Sequence, residues 1–317
     1  MTINWFPGHM HKARKDIAQV MAQMDVVIEV LDARIPYSSE NPLIPNLRDG
    51  KPCIKLLNKA DLADPDATRV WIEYLEREQG VRALPVTHKE PAQIKRLLPL
   101  CQELLADRNL TARSAQAMIM GIPNVGKSTL INILADRRIA KTGNEAGVTK
   151  AQQRIKLDNR VVLTDTPGFL WPKLTPPSCG YRLAATGAIK ERVFDYPEVA
   201  FFVVAYLAKA YPQYLKARYR LEGLNPGELA GMEALALMEA IGRARGAVAR
   251  GGRVDLEKVS ALLISELRAG ILGPITLETP AMTEREEAEA RQAEQKAKEE
   301  KQEKDRQRRL RARKNRR

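Results

Sequence analysis

The sequence predicts an α/β fold: a mostly parallel sheet with helices on both faces, followed by a small all-α domain and a charged, basic-ended tail. Three observations carry this. Short apolar runs alternate with helical patterns through the first part of the chain, which is how βα units build a parallel sheet. After about Val193 the strand signal fades and apolar residues recur at helical spacing. From Thr283 onward Glu, Lys, Arg, Gln and Ala dominate, a composition with too little apolar surface to bury a core.

The elements follow in order. Residues 25–32 (Asp-Val-Val-Ile-Glu-Val-Leu-Asp) read as a buried strand, as do 53–57, 82–86, 117–120 and 161–164. Helical patterns cover 67–79, 92–106 and 127–135. Residues 154–157 and 161–164 flank Asp158-Asn159, a turn pair, and so predict a hairpin with one antiparallel strand at a sheet edge. Residues 197–211 and 232–245 look helical; in the latter Ala234, Leu237, Met238 and Ile241 share one face. A further amphipathic helix spans 256–268, with Gly270 as its C-cap. The expected division is 1–190, 198–278 and 283–317, the tail being a solvated helix or disordered. Its last twelve residues hold eight Lys or Arg.

A formal net charge of +13 over 317 residues favours a polyanionic partner, nucleic acid first. Cys53, Cys101 and Cys179 form no Cys-x-x-Cys pair, and His9, His11 and His88 have no zinc spacing. A reduced, cytoplasmic setting is expected. The N-terminus has no uninterrupted apolar stretch, and the longest apolar run, 199–208, is too short to span a bilayer. No membrane partner is expected, and a monomer is expected in solution.

Gly121-Ile-Pro-Asn-Val-Gly-Lys-Ser128 matches Gly-x4-Gly-Lys-Ser/Thr between a strand and a helix. Glycines let backbone N–H groups turn inward as an anion nest, and the helix N-terminus adds partial positive charge. Asn124, Val125, Gly126, Lys127, Ser128 and Thr129 are the candidate phosphate contacts, Lys127 reaching the β- and γ-phosphates and Ser128 ligating Mg²⁺. Asn58-Lys59-Ala60-Asp61 follows a strand. A carboxylate at Asp61 can accept both the N1 and N2 protons of guanine, a donor pair adenine lacks; an ATPase stays open if Asp61 does not face the base. Asp165-Thr-Pro-Gly168 ends a strand 37 residues after Ser128. There Asp165 would hold Mg²⁺, directly or through water, and the Gly168 N–H would face the γ-phosphate. Thr149, in Gly147-Val-Thr149, could complete the Mg²⁺ shell with GTP bound or be an ordinary loop threonine.

The base-reading motif precedes the phosphate loop, the reverse of the order in most G proteins. Joining close termini and cutting elsewhere preserves a packed sheet. The joint would be residues 108–115 and the cut would fall just after Gly168, so that the switch runs directly into the helical domain.

In these motifs the sequence resembles the circularly permuted bacterial GTPases, most closely the ribosome biogenesis GTPase A family. The matching residues are Trp5-Phe-Pro-Gly-His-Met10, Asp32-Ala-Arg-Ile-Pro36, Asn58–Asp61, Gly121–Ser128, Gly147–Thr149 and Asp165–Gly168. Together with the C-terminal helices the resemblance covers roughly residues 1–278. It implies a circularly permuted P-loop GTPase domain and GTP hydrolysis coupled to late assembly of the large ribosomal subunit and its rRNA. Where the family reads Ser-Ala near the guanine this chain has Val86-Thr87-His88, so Thr87 and His88 are expected to contribute backbone contacts to the base. The family's Pro before Gly-Val-Thr is Ala146 here, and the basic tail is not carried over.

Many GTPases orient the attacking water with a Gln just after Asp-x-x-Gly; here that residue is Phe169, which cannot hydrogen-bond to water. The residues alone make His9 a structural histidine, whereas the resemblance makes it catalytic. In K⁺-stimulated relatives an Asn at the place of Asn124 helps hold potassium; a hydrogen-bonded loop Asn is the alternative. Weak hydrolysis alone and stimulation by the large subunit are expected. Arg243, Arg245, Arg250 and Arg253 lie beside Gly246 and Gly251-Gly252, a pattern that suits RNA phosphates or merely a solvated helix end. A nucleotide-gated RNA-binding module with incidental hydrolysis and a signalling GTPase acting on a protein are the competing readings.

Overall fold

The computed structural model describes residues 17–106, 113–140, 153–157, 160–168, 170–171, 173–221, 223–249 and 251–314, with side chains to 306. The described residues form one six-stranded sheet in the order β3-β2-β1-β4-β6-β5. The strands are β1 (Val26–Asp32), β2 (Cys53–Asn58), β3 (Val81–Val86), β4 (Ala115–Gly121), β5 (Gln153–Lys156) and β6 (Val161–Asp165). All pairs are parallel except β5 with β6. The expected hairpin and antiparallel edge are therefore present. Nearly every residue of β1, β2 and β4 is buried, because a parallel sheet is covered on both faces.

From β1 the chain builds outward through β2 and β3, then returns to the other side of β1 at β4. The strand order thus reverses between β1 and β4. In open α/β sheets the crevice beyond the carboxyl ends of strands at such a point is where ligands bind.

The helices are α1 (17–21), α2 (Pro36–Ser39), α3 (Ile44–Arg48), α4 (Pro65–Leu75), α5 (Pro91–Lys95), α6 (Leu97–Leu104), α7 (Lys127–Leu134), α8 (Ser178–Thr186), α9 (Tyr196–Ala210), α10 (Pro212–Tyr219), α11 (Pro226–Gly231), α12 (Ala234–Ala244), α13 (Leu256–Arg268) and α14 (Pro280–Lys314). The single helix expected over 92–106 is two. Pro99 has no N–H to donate to the Lys95 carbonyl and its ring crowds that group, so the turn breaks at Arg96. Helix α4 starts earlier than its apolar pattern, since Asp64 accepts from the backbone of Asp66 and Ala67 and Pro65 opens the first turn.

Helix α9 is the hub of the C-terminal half. Val199, Ala200, Val203, Val204, Leu207 and Ala208 are all buried, and α8, α10, α11, α12 and α13 pack around it. Its core is continuous with that of the sheet. Beyond α13 the chain returns to the sheet: Ile275 N donates to Leu62 O at 3.0 Å and Leu277 N to Arg34 O at 2.8 Å. The base of α14 is anchored through Glu286 to Arg182, which is 1% exposed. Farther along, from Arg291 to Arg306, its side chains are exposed.

Candidate functional site

The loop from β4 to α7 is built around close approaches. A Cβ on Gly126 would lie 2.2 Å from Asn58 Nδ2, and Gly126 has φ +96°, so only glycine fits. Asn124 is also left-handed, at φ +58°. Alternating such residues with right-handed ones turns N–H groups inward and makes a concave anion nest at the N-terminus of α7. Lys127 and Asp165 are both buried, and Lys127 Nζ lies 2.9 Å from Asp165 Oδ1. Ser128 and Thr129 stand half-buried in the first turn of α7. A Cβ on Gly168 would meet the backbone of Ile122 and Pro123 at 3.1–3.3 Å, so the Asp165–Gly168 segment lies against the loop.

The second motif reaches the same place from the other side of the crevice. Asn58 Nδ2 donates to Val125 O at 2.7 Å, which ties the two motifs together across 67 residues of sequence. Lys59, at φ +61°, donates from Nζ to Asn124 O at 3.0 Å. Asp61 pairs through Oδ2 with Lys89 at 2.8 Å, while its buried Oδ1 has no hydrogen-bond partner among the described residues. Burial raises the Asp61 carboxyl, but hydrogen bonds from Lys89 and Thr87 outweigh it and hold the group below its ordinary range. An ionised carboxylate with an unmet buried acceptor suits a ligand bearing paired N–H donors. Thr87 is buried just beyond β3, and His88 beside it is exposed.

Two residues quoted from the sequence without a site role belong here. Asp32 ends β1 in register with Asn58. Arg34 donates to it from Nε at 2.9 Å and Nη2 at 2.7 Å, and Lys59 Nζ reaches its Oδ2 at 2.8 Å. Burial would raise the Asp32 carboxyl, yet the Arg34 and Lys59 charges hold it well below the usual carboxylate range. Burial also lowers the Lys59 ammonium despite Asp32. Asp32-Ala-Arg at the carboxyl end of a buried strand was the available signal; the partner that gives it meaning lies 27 residues away. Also missed was the seat of Asn124, whose Nδ2 donates to Gly187 O at 2.9 Å, just past α8. Arg268 of α13 binds the Ala184 and Ala185 carbonyls beside it.

Asn58, Lys59, Asp61, Thr87, Asn124, Val125, Gly126, Lys127, Ser128, Thr129, Asp165 and Gly168 thus gather at one crevice. His9, Thr149, Phe169 and Arg250 lie outside the described residues. Arg243 is exposed and pairs with Glu239 at 3.1 Å, Arg245 lies 3.3 Å from Glu266, and Arg253 is exposed in the turn closed by the Val248–Val254 bridge. No described helix is long and apolar enough to cross a membrane.

Residues 116–217 match a family model described as 50S ribosome-binding GTPase. The ribosome biogenesis GTPase A of Priestia megaterium is 44% identical over 293 residues, spanning 90% of this chain and 99% of that one. The Thermotoga maritima protein of the same description is 32% identical over 282 residues, spanning 88% of this chain and 95% of its own length. Among solved structures, GNP-bound YlqF from T. maritima matches with a TM-score of 0.57 at 27% identity, covering 85% of this chain and 98% of that one. A GDP-bound TM YlqF matches with a TM-score of 0.59 at 26% identity, covering 84% and 99%.

Proposed function

The chain belongs to the ribosome biogenesis GTPase A family and is a GTPase of ribosome assembly, and on that premise we propose that the crevice takes GTP with Mg²⁺ and that its nucleotide state gates association with the large ribosomal subunit. One observation carries the assignment of the crevice: the Asn58–Val125 hydrogen bond joins the base-reading and phosphate-binding motifs into a single cleft. In this reading Asp61 reads the guanine edge, Thr87 and His88 offer backbone contacts to the base, and Asn124 to Thr129 cradle the phosphates. Lys127 meets the β- and γ-phosphates, and the Gly168 N–H faces the γ-phosphate.

The donor set fits Mg²⁺. Asp165 is a buried carboxylate beside the phosphate cradle, and Ser128 offers a hydroxyl in the adjoining turn; both are hard oxygen donors. Thr149 would join them when GTP is bound. The cation, once held, offsets charge on the phosphate oxygens. Potassium, if used, would act at Asn124, whose amide nitrogen is seated on Gly187 O. His9 is proposed to orient the attacking water, because Phe169 cannot.

We divide the chain into a G domain over 1–190, an RNA-contacting helical unit over 198–278 that includes Arg243, Arg245, Arg250 and Arg253, and a basic tail over 283–317. The cytoplasm is the proposed setting. The deciding measurement is GTP turnover with and without purified large subunits in K⁺ buffer, for the wild type and His9→Ala. Slow turnover alone, strong stimulation by the subunit and its loss in the variant are expected. Nucleotide binding without stimulation would overturn the partner, and full stimulation of His9→Ala would overturn the role of His9.

A further inference from the structure

Lys59 has a long flexible stem whose ammonium would by default reach for water. Here it is held inside the cleft instead, 21% exposed, bridging Asp32 Oδ2 at 2.8 Å and Asn124 O at 3.0 Å. The anchor at the sheet end is a single carboxylate, and that carboxylate is itself fixed. Arg34 grips both oxygens of Asp32 with the two arms of its guanidinium, and the Arg34 backbone N–H adds a third bond to Oδ1 at 3.1 Å. Asp32 and Arg34 are each 2% exposed, and Arg34 Nη1 has no partner among the described residues. The guanidinium is thus committed to one task, and its backbone is committed too, since Arg34 O accepts from Leu277 N at 2.8 Å.

We propose that Asp32 and Arg34 are positioning residues for nucleotide binding, acting through Lys59: they hold its ammonium against the phosphate loop before the nucleotide arrives. The proposal rests on the reading of the cleft as the GTP site. The physical gain is preorganisation. Rotamer freedom of Lys59 is lost on folding and not on binding, and the Asn124 carbonyl stays tethered while the loop wraps the phosphates. Arg34 suits this and lysine does not, because only a planar fork fixes both carboxylate oxygens and so the carboxylate's rotation.

The test is a double-mutant cycle on the full chain, read as the dissociation rate of fluorescent GDP in stopped flow. Arg34→Lys keeps the charge and loses the fork; Lys59→Met removes the bridging ammonium. Each single variant is expected to release GDP about tenfold faster, and the double variant no faster than Lys59→Met alone, since residues acting through one contact are not additive. Multiplicative effects, or a wild-type rate in Arg34→Lys, would overturn the proposal. The ratio of GTP to ITP affinity should stay at the wild-type value in Arg34→Lys, because Asp61 and not Lys59 reads the exocyclic amine; a changed ratio would place Arg34 in the base loop's service and overturn it equally. Should Arg34→Lys fail to fold, Asp32→Asn combined with Lys59→Met removes anion and cation together. A rate equal to that of Lys59→Met supports the proposal, and a faster one overturns it. Wild-type protein that binds no fluorescent GDP would instead overturn the nucleotide reading itself.

Discussion

Glu29 shows how much a single buried group can decide. It sits at the centre of β1 with no exposure, its Oε1 accepts from Asn41 N at 2.8 Å, and its Oε2 has no partner among the described residues. Burial, with the nearby Glu40 charge, pushes its carboxyl up to about 8 against the pull of Lys55. The folded chain therefore keeps a proton that the unfolded chain releases above its ordinary value of 4.5. That contribution to stability is whole at low pH and is lost as pH rises from the unfolded value toward the folded one. Glu29→Gln keeps the shape and removes the titration. Urea unfolding at several values between pH 5 and pH 8 is expected to show wild-type stability falling relative to the variant as pH rises; parallel profiles would refute it. At this same scale the phosphate and base motifs were legible, because Gly121–Ser128 and Asn58–Asp61 carry their chemistry in contiguous residues. Asp32, Arg34, Gly187 and Arg268 were not, because each takes its meaning from a partner a strand or a domain away.

At the scale of elements, the apolar runs located five of the six strands, since buried parallel strands are the strongest local signal a chain offers; β5, an antiparallel edge strand with one buried residue, was legible only through the Asp158-Asn159 turn pair beside it. Helix α8 escaped notice because the face it buries is made largely of small residues, Cys179, Gly180, Ala184 and Ala185, which leave no periodic bulky pattern. The short α11 was not expected either; its one local signal is its cap, where Asn225 and Glu228 form a reciprocal capping box and Pro226 opens the first turn. Caps are also where α13 can be tested. The Asp255 side chain accepts from Lys258 N at 3.0 Å, and α13 packs on α8, α9 and α12. Asp255→Ala should cost about 1 kcal/mol, read as a fall of about 2 °C in Tm, while Asp255→Ser should recover most of it. An unchanged melting curve for the alanine variant would show that the cap does not limit stability.

For the whole molecule, charge and connectivity pull on the same tail. Composition read 283–317 as solvated, and from Arg291 to Arg306 the side chains are exposed. The first turns of α14 differ, for Glu286 meets the buried Arg182 guanidinium at 2.7 and 2.8 Å. Two truncations separate the roles. Ending the chain after Glu300 should leave unfolding unchanged while weakening subunit or RNA binding and flattening its salt dependence. Ending it after Thr283 also removes Glu286 and should cost about 2 kcal/mol of stability, as for a buried charge losing a hydrogen-bonded partner. Equal stability of the two would show that Glu278, 3.4 Å from Arg182, suffices alone.

The return of residues 275–278 to the sheet also has a meaning in time. These residues bond to Arg34 and Leu62, at the edge of the nucleotide cleft, yet they are synthesised 110 residues after β6 ends at Asp165. At about 5–20 residues per second the finished motifs wait roughly 6–22 s for the segment that seats them. A chain stopped between Asp165 and Ile275 therefore carries every nucleotide motif without the segment that bonds to Leu62 and Arg34.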